Sequence, residues 1–191
     1  IAVISDAGTP NICDPGSFLC QKLREAAVDL IPIPGPSALT AFLSISGKRT
    51  DSFYFGGFFP RNDKAVEALL EPLPETYLVF FEAPKRILKT LQYLRGNVPI
   101  RDFFIAKELS KKFEQSWDSI DEVIAYLDAA ASIKGEWIFG FSITRTETDI
   151  DLNLLLSEFK EQGLSLKQAV YVGQKFLGLK KNQIYKAYHE S

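Results

Sequence analysis

The segment SDAGTPNICDPG, residues 5–16, constrains this chain more than any other. A short apolar run, residues 1–4, leads into it, and an amphipathic stretch, residues 17–27, leads out. The pattern predicts strand, tight acidic glycine–proline loop, helix. A second punctuated loop, Pro32-Ile33-Pro34-Gly35-Pro36-Ser37-Ala38, follows another apolar run at residues 28–31. Two such loops leaving neighbouring strands build a pocket at the carboxyl edge of an α/β sheet, where small ligands usually bind.

Composition narrows the class. The 191 residues are 46% hydrophobic and 24% charged with a net charge of −2, which suits a soluble globular protein of one or two domains. No apolar run approaches the roughly 18 residues of a membrane span. The first residues read as a strand and not as a signal peptide, and Ile1 sits inside that strand, so further chain is expected before it. Cys13 and Cys20 lack metal-ligand spacing and suit a reducing compartment, so the protein is expected in the cytoplasm with no metal site. The slight acidity argues against indiscriminate coating of nucleic acid but leaves room for a local basic face.

Residues 1–48 read as strand, loop, helix, strand, loop, helix, with Gly47 stopping a helix of small residues. From residue 49 the pattern turns strand-rich. Strands are expected near residues 53–59, 77–81, 102–106 and 137–143, and helices near 62–73, 84–94 and 120–130. Residues 144–151 read as a polar linker. Helices are expected at 152–161, 166–176 and 182–188, in a tail with six lysines against three glutamates. His189, the single histidine, reads as a solvated surface residue, and no Ser–His–Asp or Cys–His arrangement can be built around it.

The words SDAGTPNICDPG, PIPGPSALTAFLSISG, GGFFPRND, YLVFFEAPKRILKTL, AKELSKKFE and KGEWIFGF, in that order, resemble the tetrapyrrole methylase superfamily. The resemblance is closer to its ribosomal RNA small subunit methyltransferase I branch and spans roughly residues 1–143. It implies an α/β fold of two domains with the cofactor between them. Residues 1–48 would be the C-terminal part of a truncated first domain, 49–145 the second α/β domain, and 146–191 a linker and basic helical tail. The implied activity is 2′-O-methylation of a cytidine in small-subunit ribosomal RNA by S-adenosylmethionine, in a homodimer. The alternatives are a methyltransferase acting on a tetrapyrrole or other small molecule, and a non-catalytic cofactor-binding relative. Three departures stand out. Ala27 replaces a glycine, Ala83 and Lys85 alter the word ESPHR, and Phe141-Ser142 replaces the acidic-glycine end of the last strand, beside an implied cofactor wall.

By that resemblance, Ala7, Gly8, Thr9 and Ile12 of the first loop and Ser37 and Ala38 of the second match cofactor contacts. Glu82, Leu109, Glu136 and Trp137 match the remaining walls. Asp6 and Asp14 equally suit turn formers that bond their own backbone. Phe80 and Phe81 suit plain core as well as an adenine platform. Methyl transfer is an in-line displacement governed mainly by alignment. A ribose hydroxyl must still lose its proton, and Glu82, Glu108 and Lys107 are the candidates to assist. Arg61, Lys64, Lys85, Arg86, Lys111 and Lys112, with Lys167, Lys175, Lys180, Lys181 and Lys186 of the tail, are candidates for RNA phosphates. Tyr54, Phe55 and Phe58 are of a type that stacks on splayed bases.

Overall fold

Apolar residues at both parities of successive short segments demand a sheet covered on two faces. The computed structural model describes residues 1–73, 76–144, 152–177, 179 and 181–190, and contains one such sheet. Its strands are β1 (Phe53–Phe58), β2 (Tyr77–Glu82), β3 (Ile100–Lys107), β4 (Gln115–Trp117) and β5 (Trp137–Ile143), in the order β1-β2-β5-β3-β4. β1 lies parallel to β2, while β5 runs antiparallel to both β2 and β3. β1, β2 and β3 therefore end at one rim, where β5 begins with Trp137 opposite Glu82 and Lys107.

Five helices accompany the sheet: α1 (Ser17–Glu25), α2 (Ala38–Ile45), α3 (Asp63–Leu70), α4 (Ile87–Asn97) and α5 (Ile120–Ala129). Asn62 and Ser119 start α3 and α5 by accepting from the N–H groups of Ala65 and Glu122. Val66, Leu91, Leu94, Val123 and Leu127 of α3, α4 and α5 pack with Leu78, Phe80, Ile105, Phe139 and Phe141. Residues of the other parity, Tyr77, Val79, Phe104, Ala106 and Ile138, form a second core with Phe42 of α2. Strand parity thus assigns each side chain to one face or the other. Gly140 permits a close approach on the α2 face, since a methyl built there would meet the Tyr77 hydroxyl at 2.7 Å.

The expected strands at residues 1–4 and 28–31 are absent. Val3, Ile4, Ile31 and Ile33 are exposed, and the sheet contains neither run. A strand exists only through its ladder, and these runs have no paired neighbour among the described residues. β4 was not anticipated, because three residues with one apolar member give no periodic signal. The other strands and all the expected helices form close to the expected positions.

The chain divides into two compact units, Ile1–Thr144 and Arg145–Ser191. The second unit contains α6 (Leu152–Glu161), α7 (Leu166–Leu177) and α8 (Lys181–Glu190) around Leu156, Ala169, Val170, Ile184 and Ala187. At the start of α7 the Gln168 side chain accepts from the Ser165 N–H at 2.9 Å and from the Ser165 hydroxyl at 2.7 Å. Lys180 and the side chain of His189 lie outside the described residues.

Helices α1 and α6 end in the same way. At the end of α6, Gly163 N–H donates to Lys160 O and Leu164 N–H to Phe159 O, with Gly163 at φ 75°. At the end of α1, Ala27 N–H donates to Arg24 O and Val28 N–H to Leu23 O, with Ala27 at φ 55°. Both are Schellman endings, whose left-handed residue is usually glycine. Ala27 therefore carries a Cβ penalty that a glycine would avoid. Ala27→Gly should stabilise the protein by about 0.5–1 kcal/mol, the left-handed strain relieved outweighing the added freedom of the unfolded chain. Thermal unfolding checks this, with an expected rise of about 1–4 °C.

Candidate functional site

The two loops meet. The Thr9 hydroxyl donates to Pro36 O at 3.2 Å, and the Ser5 hydroxyl donates to Gly8 O at 2.9 Å. Gly8 makes the bend at φ 75°, and a methyl built on it would have only Pro36 O nearby, at 3.8 Å. The bend thus leaves a space that a side chain would fill. Ser37 precedes α2 as its cap residue and Ala38 opens the helix, so the second loop leads directly onto the α2 face of the sheet. Ile12 is exposed, and the loops form an open shelf.

The first loop also reaches the sheet. A methyl on Gly57 of β1 would meet Cys13 Sγ at 3.2 Å. Burial, reinforced by Asp14, pushes the Cys13 thiol above its ordinary range. Beside this contact Phe58, 57% exposed, leans edge-on against Phe81, with ring centroids 5.9 Å apart. Phe81 packs edge-on against Phe55 in turn and faces the α2 side. Phe80 has the opposite parity and is fully buried. Of the two phenylalanines considered as an adenine platform, only Phe81 lies on the α2 side.

The rim gathers most of the remaining candidates. Glu82, Lys107, Glu108, Leu109, Glu136 and Trp137 all lie at or just beyond the ends of β2 and β3 and the start of β5. Only Leu109 turns its side chain onto the α2 face. Glu82 and Trp137 have the parity of the α4–α5 side, so their side chains lie on the sheet face opposite α2. The Trp137 ring stacks on Trp117 at 5.9 Å, and its indole N–H donates to Lys134 O. Glu82 is fully enclosed and accepts from Ala83 N–H, Thr90 Oγ1 and Arg86 Nη2 at 2.8, 2.7 and 3.1 Å. A carboxylate so occupied is closed to a substrate hydroxyl. Lys107 lies over the rings of Tyr126 and Trp137, each centroid 5.6 Å away, and bonds the Tyr126 hydroxyl at 3.3 Å.

Glu108 belongs to a latch. Its backbone is left-handed at φ 53°, and its Oε1 accepts from Glu136 N–H at 2.8 Å. The Glu108 N–H donates to Glu136 O in return. Lys111 bridges the pair, 3.4 Å from Glu108 and 2.9 Å from Glu136. A methyl on Gly135 would sit 2.8 Å from Glu108 Cγ, so the latch needs glycine there. The Glu136 N–H bond, with Lys111 behind it, holds the Glu108 carboxyl below the usual glutamate range. The pairing with Glu136 and Glu108 raises Lys111 in turn.

Among the basic candidates, Arg61, Lys64, Lys85, Lys112 and Lys181 are exposed. Lys112 lies over the exposed Phe113 ring, 5.6 Å from its centroid. Arg86 is drawn inward to Glu82 and to the carbonyls of Phe59 and Pro60. It lines a cleft with Arg61, Lys89 and Tyr93 between α3 and α4, on the sheet face opposite α2. Phe141 and Ser142, expected beside the cofactor wall, lie at the far end of β5, where Ser142 pairs with Arg101. The departure there leaves the rim untouched.

A family model for Tetrapyrrole (Corrin/Porphyrin) Methylases matches residues 1–124. Curated relatives carry the name ribosomal RNA small subunit methyltransferase I. That of Synechocystis is 42% identical over 66% of this chain and 47% of its own length. Those of Buchnera aphidicola and Vibrio cholerae are 34% and 35% identical over 97% of this chain and 68% and 67% of theirs. The chain thus spans about half of the first relative and about two thirds of the other two. Among solved structures, uroporphyrin-III C-methyl transferase from Thermus thermophilus, complexed with S-adenyl homocysteine, is 16% identical over 69% of this chain and 62% of that one. Its TM-score is 0.45, too loose a likeness to argue from.

The latch has a titration signature. A carboxylate held below its unfolded value contributes stability that is present above the ordinary glutamate range and lost as pH falls through the depressed value. Carboxyl-carbon NMR should show Glu108 titrating below an ordinary glutamate, and Lys111→Met should move it back up without restoring it fully, because the Glu136 N–H remains.

Proposed function

Because the chain belongs to the tetrapyrrole methylase family, we propose that it transfers a methyl group from S-adenosylmethionine to the 2′-oxygen of a cytidine in small-subunit ribosomal RNA. The names of its relatives support the substrate class. The observation that carries the site is the hydrogen bond from Thr9 to Pro36, which joins the two loops beside the open bend at Gly8. Ala7, Gly8, Thr9 and Ile12 would hold one side of the cofactor, and Ser37, Ala38 and Leu109 the other. Phe81, with Phe58 beside it, offers a flat apolar surface at the same rim. Bound there, the cofactor supplies an electrophilic methyl on a positively charged sulfur.

The chain's contribution is mainly alignment. Displacement at a methyl group needs nucleophile, carbon and leaving group in line, and rigid placement can supply much of the rate. The three candidate proton acceptors are each engaged: Glu82 is enclosed, Glu108 is held in its ionised form and Lys107 is seated over aromatic rings. Of these, Glu108 is the partly open carboxylate at the rim, which leaves it the one placed to take a proton from a hydroxyl there.

RNA needs cations that water can reach. Arg61, Lys85 and Lys112 at the end of the sheet that carries the loops, with Lys181 in the tail, are exposed and suit phosphate contacts. Lys175 and Lys181 lie over the rings of Tyr171 and Tyr185, placing charge beside exposed aromatic surface.

Unmodified small ribosomal subunits, incubated with the whole protein and methyl-labelled S-adenosylmethionine, should acquire label on a cytidine ribose. Label on a base, or none, would overturn the reading. Gly8→Val should weaken cofactor binding about tenfold or more, because valine fits neither the left-handed bend nor the space beside it, with calorimetric titration as the measure. Removing residues 152–191 should weaken RNA binding and flatten its salt dependence while leaving cofactor affinity unchanged, since each phosphate contact adds to that slope.

A further inference from the structure

Glu82 is the one charged side chain buried among the described residues, and a buried carboxylate is costly unless fully partnered. Its partners come from two elements. Thr90 and Arg86 belong to the turn and helix after β2, while the Ala83 N–H closes over its other oxygen. Arg86 then passes the connection on, donating to Phe59 O at 3.1 Å and Pro60 O at 2.8 Å. Those carbonyls form the exit from β1. One residue earlier, Phe58 rests on Phe81, and before it Gly57 lies under Cys13 of the first loop. A continuous line of contacts therefore runs from α4 through the end of β2 to the exit of β1 and the loop.

We infer that Glu82 and Arg86 are positioning residues: they clamp the Phe59–Pro60 turn, and through Gly57 they set the height at which the first loop rests. Neither touches the transferred methyl or the RNA. One nitrogen of Arg86, Nη2, makes all three contacts from the end of a rigid planar group, and a lysine ammonium on its flexible stem holds that position less firmly. The inference rests on the reading of that loop as a cofactor site, but its mechanical part does not.

The test separates the two in the whole protein. Alkylation of Cys13 by iodoacetamide, followed by peptide mass spectrometry, reports the position of the loop without any cofactor. Binding of S-adenosylhomocysteine reports the site. Glu82→Gln and Arg86→Lys should each raise the Cys13 alkylation rate about threefold and weaken S-adenosylhomocysteine about fivefold. Turnover at saturating cofactor and RNA should stay within about twofold, with the shape of its pH profile kept. The double variant should be no worse than the poorer single one, because both act through one connection. Thr90→Val removes a single donor and should give a smaller change of the same sign, which serves if Glu82→Gln does not fold.

Unchanged alkylation and affinity in Arg86→Lys would overturn the clamp. A collapse of turnover with loss of the acid limb in Glu82→Gln, at unchanged affinity, would make Glu82 the proton acceptor instead. Faster alkylation in the variants of a protein that binds no S-adenosylhomocysteine would uphold the clamp and overturn the cofactor reading.

Discussion

Three strands sharing one direction is the constraint on which the rest depends. β1, β2 and β3 all deliver their chains to the same rim, and β5, inserted antiparallel between β2 and β3, starts there. A sheet cannot pair these strands without bringing residues 58–60, 82–86, 107–111 and 135–137 together. None of these segments is near another in sequence. Strand direction makes them neighbours, and the loop carrying Cys13 joins them through Gly57.

The rim is held by charge as much as by apolar packing. On the α4 side a buried carboxylate is matched by one guanidinium nitrogen and a hydroxyl. Beyond β3, two glutamates share one lysine, and a carboxylate takes a backbone N–H at a left-handed bend. Each arrangement satisfies groups that would otherwise be orphaned as the chain leaves the sheet. Two glutamates that look catalytic in type, Glu82 and Glu108, each hold a backbone N–H. Chemistry at such a rim depends on how firmly the surrounding atoms are fixed.

Much of this was legible in the sequence. Periodicity located the helices and four of the five strands, and the motif words hold the residues that gather at one rim. What failed did so for physical reasons. Residues 1–4 and 28–31 have strand composition, but composition does not supply the neighbour that a ladder requires. Residues 115–117 are too short and polar to announce themselves. Side-chain facing was hidden as well. Leu78-Phe80-Glu82 and Tyr77-Val79-Phe81 are nearly equally apolar, so β2 shows no alternation that would put Glu82 on the α4 side and Phe81 on the α2 side.

The same strand directions leave an opposite rim with different duties. There β1, β2 and β3 begin and β5 ends, with Arg101 beside Ser142 and the exposed Asp51 and Pro99 close to strand starts. Phe141 and Ser142 lie at this end, a strand length from the two loops, where Thr144 N–H bonds Pro99 O and the Thr76 hydroxyl bonds Ser52 O. Fluorophores, affinity handles or inserted reporter peptides attached near Asp51 or Pro99 would sit a full strand length away from the rim that gathers Glu82, Glu108 and Trp137, leaving that rim undisturbed.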